Sequence, residues 1–241
     1  MKKLVLSLFG LFAAGIILAQ DLTIEQVLDK YYNAVGQDKL SKVQSTKMTG
    51  KGFQMGMEFP LTVIRKRPNM SYTEVEVQGM KIISAFDGEK GWAIVPFTSP
   101  DPQDLPEEQV KSAKEQGIDG MLFDWKNNGR KVELVGKEDM DGTPVYNIKV
   151  TTKDNDVYNY FLDANNFLIL KTKTSVLAQG QTVDAETVFS DYRDVNGIKM
   201  PFKMSQSANG QPGIEMTYDT IQFDVPVDNA IFAKPAAGGQ N

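Results

Sequence analysis

The chain contains no cysteine and no histidine. Exported proteins often rely on disulfides, so without cysteine the fold must be held by its core alone. Bacterial lipoproteins are acylated on a cysteine that follows the signal peptide, so this chain is expected not to be anchored to a membrane by that route. Without histidine it lacks the usual general base near neutral pH and the commonest metal ligand. Ser-His-Asp and Cys-His catalysis are thereby excluded. Positive charge is also scarce. Lys and Arg total 26 against 31 Asp and Glu, a formal net charge of -5. An acidic chain with no long basic run is a poor partner for nucleic acid, whose affinity comes largely from cations on phosphates.

Only one stretch is long and apolar. Lys2 and Lys3 precede an uncharged run from Leu4 to Leu18, and Ala19 closes it before Gln20-Asp21. A charged start, an apolar core and a small residue at the cut make a signal peptide. The run falls short of the roughly 20 residues that a membrane-spanning helix needs. Residues 1–19 are therefore expected to be removed near Ala19, leaving an exported, periplasmic protein. Losing Lys2 and Lys3 and no acids moves the formal charge from -5 to -7. Residues 20–235 are expected to fold as a single domain and a monomer, with 236–241 a disordered tail.

The mature part opens with a helix. Thr23 and Gln26 have capping-box spacing. Ile24, Val27, Leu28, Tyr31 and Val35 recur at helical spacing, and Gly36 supplies a stop. From Thr46 the period changes to two. Met55, Met57, Phe59, Leu61 and Val63 alternate and are expected on one face. Asp87-Gly88, Asp141-Gly142, Asp154-Asn155, Asn165-Asn166 and Asn196-Gly197 mark turns between successive strands. Thr98–Pro106, with Pro100, Pro102 and Pro106, reads as a loop. Glu107–Gln116 reads as a short helix. Ile118, Met121, Leu122 and Trp125, at i, i+3, i+4 and i+7, suggest a second. Strand upon strand at short spacing predicts a mainly β protein, a meandering antiparallel sheet or barrel with a few helices.

Chemistry-bearing groups are few. The acids mostly sit at turns or alternate outward. Asp154-Asn155-Asp156 lacks the glycine and the final glutamate of a calcium loop. No metal site, cofactor site or catalytic set is apparent, so the chain does not read as an enzyme. Met48, Met55, Met57 and Met80 crowd the first half, with Met121 in the helical insert. Such flexible side chains either fill a core or line a surface that accepts varied apolar shapes.

One stretch is more specific. Arg67-Pro68-Asn69 follows a strand; then come Phe86-Asp87-Gly88, Trp92 and Pro96-Phe97. This order resembles LolA, the periplasmic carrier of outer-membrane lipoproteins, and the wider group of outer-membrane lipoprotein-sorting proteins. Asn229-Ala230-Ile231-Phe232 before Pro235 is similar to that family's final strand. The resemblance implies an incomplete, strongly curved antiparallel β-barrel with an N-terminal helix and a helical lid over the concave face. It implies lipoprotein or lipid acyl chains as cargo, with an inner-membrane release complex and an outer-membrane acceptor as partners. It gives Arg67 a contact with the lid, although Arg65 and Lys66 precede it in the same basic run. The cavity candidates are Met55, Met57, Phe59, Leu61, Val63, Trp92, Ile118, Met121, Leu122 and Trp125. A lipid sensor or regulator on the same fold is the alternative function. Carboxylate chemistry on such a scaffold is the more distant one.

Overall fold

The computed structural model describes residues 22–178 and 181–236. The expected signal peptide, its cleavage point and residues 237–241 of the expected tail lie outside the described residues. Helix α1 (Ile24–Val35) is followed by a single helical turn α2 (Gln37–Leu40). Six strands come next: β1 (Ser45–Gln54), β2 (Met57–Lys66), β3 (Met70–Val77), β4 (Met80–Phe86), β5 (Gly91–Val95) and β6 (Ser99–Asp104). Helix α3 (Glu107–Lys114) lies in the insert. Seven strands complete the sheet: β7 (Lys131–Met140), β8 (Thr143–Thr151), β9 (Val157–Asp163), β10 (Ile169–Ala178), β11 (Gln181–Val195), β12 (Ile198–Ala208) and β13 (Gln211–Phe223).

Among the described residues thirteen strands form one antiparallel sheet in the order β6-β5-β4-β3-β2-β1-β13-β12-β11-β10-β9-β8-β7. The sheet curves without closing, so β6 and β7 are its two edges. Those two strands are neighbours in sequence through residues 105–130. The insert is therefore fixed to both rims and crosses from one to the other.

Local chemistry explains the hairpins. Met55-Gly56, Gln78-Gly79, Asp141-Gly142, Asn196-Gly197 and Asn209-Gly210 all have positive φ at both positions, the primed turn that matches strand twist. At α1 the capping box forms as its spacing predicts. The Gln26 amide donates to Thr23 Oγ1 at 3.3 Å, and the Thr23 amide donates to Gln26 Oε1 at 2.9 Å. Gly36 ends the helix at φ 76°, and a Cβ there would lie 2.3 Å from the Gly197 carbonyl oxygen. The helix end is thus pressed onto the β11–β12 turn by a contact only glycine allows.

Cross-strand partners share a face. Met48 lies opposite Val63, and Thr46 opposite Arg65, so Phe59, Leu61, Val63 and Arg65 point to the concave side. On the far half of the sheet, Val132, Ile148, Val150 and Leu162 form a core with Val27, Leu28, Tyr31 and Val35 of α1 and with Met121 and Leu122 of the insert. Helix and insert together fill the concave side there.

Three expectations are corrected. Ser99–Asp104 is a strand and not a loop. It pairs only with β5, and an edge strand tolerates Pro100 and Pro102 because few of its amides need partners. Ile118–Trp125 makes turns and no helix. Gly120 and Asp124 take left-handed φ of 70° and 48°, which breaks the ladder although the apolar spacing is helical. Asn229–Ile231 is a 3₁₀ turn and not a final strand, capped by Asp228 Oδ1, which accepts from the Ala230 amide at 2.9 Å.

Candidate functional site

The insert is held over the concavity by side chains from three places. At the end of β2, Arg67 donates from two nitrogens to the two oxygens of Asp119, one bond measuring 2.9 Å. Its Nε donates to the Val43 carbonyl at 2.6 Å and its Nη2 to the Leu40 carbonyl at 3.2 Å. One guanidinium therefore joins the strand end, the segment after α2 and the insert. The hydrogen bonds to Asp119 hold the Arg67 pKa above its ordinary value. Two residues on, Asn69 donates to the Lys114 carbonyl at 2.7 Å.

From the N-terminal segment, Gln37 donates to Asp119 Oδ1 at 3.1 Å, and the Tyr32 hydroxyl donates to the Leu122 carbonyl. Burial, the leading cause, pushes the Tyr32 pKa up to about 12. On the far side, Lys111 meets Asp156 of the β8–β9 loop at 2.8 Å. Inside the insert, Arg130 grips Glu115 with two bonds of 2.9 and 2.7 Å.

Beneath the insert lies a cavity of about 540 Å³. Ligand sites commonly measure about 300–1,000 Å³. Its floor is the concave face: Met48 of β1, Tyr158 and Tyr160 of β9, Thr172 of β10, Phe189 of β11, Met204 of β12 and Tyr218 of β13. Its roof is Ile118 and Met121 with the glycines beside them, and Leu40 closes one side. Most of this lining is methionine, aromatic or aliphatic, so the space suits hydrocarbon better than a polar metabolite.

The residues singled out in the sequence fall in different places. Ile118 and Met121 line the cavity. Leu122, 1% exposed, belongs to the core beneath α1, and Trp125 packs on the edge of that core with Lys126 over its ring. Leu61 and Val63 pack beside Met48, next to the cavity but not on its surface. Phe59 lies over Gly52 on the same face.

Met55 is 89% exposed because it is the first residue of the β1–β2 turn, and Met57 sits half-exposed beside it. Met55 thus falls in the turn, and Met57, the first residue of β2, is in step with Phe59 but sits at the strand's end, off the cavity lining. Trp92 is on the opposite, convex side. It pairs with Ala85, which pairs with Tyr72, which pairs with Ile64, one position out of step with Val63. There the indole donates to the Phe232 carbonyl at 2.8 Å and holds the C-terminal segment against the sheet. Lys66, also convex, bonds the Val227 carbonyl at 2.8 Å and Asn229 Oδ1 at 2.6 Å in the same segment.

Sequence reasoning missed Asp119, Thr46, Tyr218 and the inward aim of Arg65. Asp119 is 52 positions from its arginine and carries no local signal. Arg65 did carry one: it is in step with Leu61 and Val63 on β2. Among the described residues, no three acidic side chains cluster as metal ligands would. Among the described residues, no helix is long and apolar enough to cross a membrane.

No known family profile and no curated protein matches the chain. Solved structures do. A LolA-superfamily protein of Nitrosomonas europaea superposes with a TM-score of 0.59 at 13% identity, covering 89% of this chain and 99% of the other. A DUF1329-family protein of Desulfovibrio piger gives 0.57 at 15% identity, covering 86% and 97%. A domain from Vibrio parahaemolyticus, assigned as an outer membrane lipoprotein-sorting protein, gives 0.57 at 10% identity, covering 84% and 96%. At these identities the likeness is one of fold: the chain has a LolA-like fold.

Proposed function

We propose that this chain is an exported, non-enzymatic carrier that encloses the acyl chains of lipoproteins or other lipids and moves them through the periplasm towards the outer membrane. The observation that supports it most is the apolar cavity of about 540 Å³ between the concave sheet and an insert tied to both rims. An acyl chain in water costs about 0.8 kcal/mol per CH₂, so it does not cross an aqueous compartment unaided. A carrier needs an apolar enclosure, a cover that opens and an affinity low enough to hand cargo on. On this reading Arg67 is the latch of the cover, and Ile118 and Met121 are the roof against which hydrocarbon lies. The cargo would be received from a complex at the inner membrane and delivered to an acceptor at the outer one. The mature chain, residues 20–235 with its short tail, would act as a diffusible monomer.

Native mass spectrometry of protein purified without detergent is the direct test. Co-purified acyl-bearing species, or saturable binding of a fluorescent fatty acid, are expected. A well-folded sample that carries and binds neither lipid nor lipopeptide rejects the proposal.

A further inference from the structure

One group in the cavity does not fit a purely hydrocarbon guest. Arg65 lines the space from β2, facing inward beside Met48, Tyr218 and Met204. Among the described residues no hydrogen bond or ion pair reaches its guanidinium. The residue is half-buried, and a charge withdrawn from water is costly unless paired. Burial pulls its pKa below the ordinary value, with the nearby Tyr218 opposing. Arginine nonetheless stays protonated in proteins, so the charge cannot be shed as a lysine would shed it.

The neighbours sharpen the point. Thr46 is directly opposite Arg65 across the β1–β2 ladder, is 3% exposed and lines the same cavity. Its Oγ1 is buried with no partner among the described residues. Among the described residues the Tyr218 hydroxyl meets only the Met216 sulfur, at 4.0 Å, a weak contact. Among the described residues the one carboxylate on the cavity wall, Glu115, is already taken by Arg130 through two bonds. Among the described residues the wall therefore keeps an uncompensated positive charge, with the Thr46 and Tyr218 hydroxyls beside it able to donate.

We propose that Arg65, Thr46 and Tyr218 form an anion seat within the cavity, and that the ligand is an acidic amphiphile. Its carboxylate or phosphate rests on the guanidinium while its hydrocarbon lies along the methionine- and tyrosine-lined floor. This rests on the acyl-binding function proposed above and narrows its cargo to lipids that carry an acid group. A charge-assisted bond in a dry site supplies affinity and fixes which end of the guest lies deepest.

The test uses the delipidated full mature chain at about pH 8, where a free carboxyl is ionised. Binding of palmitate, lysophosphatidate, hexadecanol and inorganic phosphate is measured by calorimetry for the parent, Arg65→Met and Arg65→Lys. The parent should bind palmitate or lysophosphatidate at least tenfold tighter than hexadecanol. Arg65→Met should lose that preference while keeping hexadecanol affinity within about twofold, and Arg65→Lys should retain part of it. In the absence of ligand, Arg65→Met should melt no lower than the parent, because it removes an unpaired charge; a structural arginine would give the reverse. Hexadecanol bound as tightly as the acids would overturn the seat and leave the carrier reading standing. Inorganic phosphate bound as tightly as lysophosphatidate would overturn the amphiphile and leave a simple anion site. If no amphiphile binds, the carrier reading fails and the seat fails with it.

Discussion

Arg67 and Asp119 are joined by two parallel hydrogen bonds across 52 positions of sequence, and the same guanidinium also holds the Val43 and Leu40 carbonyls. The pair is partly buried, with side-chain exposures of 24% and 19%. It is the point at which the strand end, the helical turn and the insert meet.

Removing it should free the insert before it unfolds the sheet. Arg67→Leu and Asp119→Asn should each accelerate amide exchange across residues 107–130 with little change in the core strands. A double-mutant cycle should give a coupling of about 1–2 kcal/mol, above that of an exposed pair because the geometry is bidentate. Unchanged exchange in the insert would remove Arg67 as a latch.

Trp92→Phe should act on the opposite side of the sheet. It deletes the indole bond to the Phe232 carbonyl and leaves that acceptor unpaired, a loss of about 1–3 kcal/mol in denaturant unfolding. Lipid binding should be unaffected, since the residue is on the convex face. A selective loss of binding without loss of stability would contradict that placement.

Leu122→Ala empties a site that is 1% exposed beneath α1 and should cost about 2–5 kcal/mol. Met55→Gln, at the exposed turn, should change stability by less than about 0.5 kcal/mol. Chemical denaturation of the two variants side by side checks both values. A comparable loss in both would mean that Met55 is packed.

Burial raises the pKa of Tyr31, Tyr32, Tyr72, Tyr158, Tyr160, Tyr192 and Tyr218 in the folded chain. A raised folded pKa gives stability that is fully present below about pH 10, the unfolded value, and is lost as pH rises through the folded one. For Tyr32 that window runs to about pH 12. Tyrosinate absorbance should therefore lag behind that of the denatured chain and then climb together with loss of β-sheet circular dichroism. Ionisation of these tyrosines at the ordinary pKa with the fold intact would show that they are open to water.

The fold was legible where local chemistry decides it. Thr23, Gln26 and Gly36 bounded α1, and Asp141-Gly142 and Asn196-Gly197 marked hairpins, because caps and primed turns depend on a few adjacent residues. The insert was less legible. The spacing of Ile118, Met121, Leu122 and Trp125 reports which side chains are buried and is silent on the backbone between them, where Gly120 and Asp124 turn left-handed. Pro100 and Pro102 concealed β6 because prolines at such close spacing read as a loop, whereas an edge strand tolerates them. The candidate site was harder still. Trp92 and Met48 read alike as apolar strand residues, and only register shows that one faces the C-terminal segment and the other the cavity. Arg65 and Arg67 look equivalent in sequence, yet one leaves its strand to clasp the insert and the other stays in it and turns inward.

The attachment of the insert at both edges has a mechanical consequence. A flap with one free end can swing away while the body stays rigid; a string tied to both tips of a bow cannot. Here the span between β6 and β7 and the slack in residues 105–130 are one variable. Flattening of the sheet would draw the string taut, and tightening of the arc would let it bow outward. The length of that segment thus sets the widest guest the arc can take, and residues added to it or removed from it would regrade the protein for thicker or thinner cargo without any change to the wall the cargo touches.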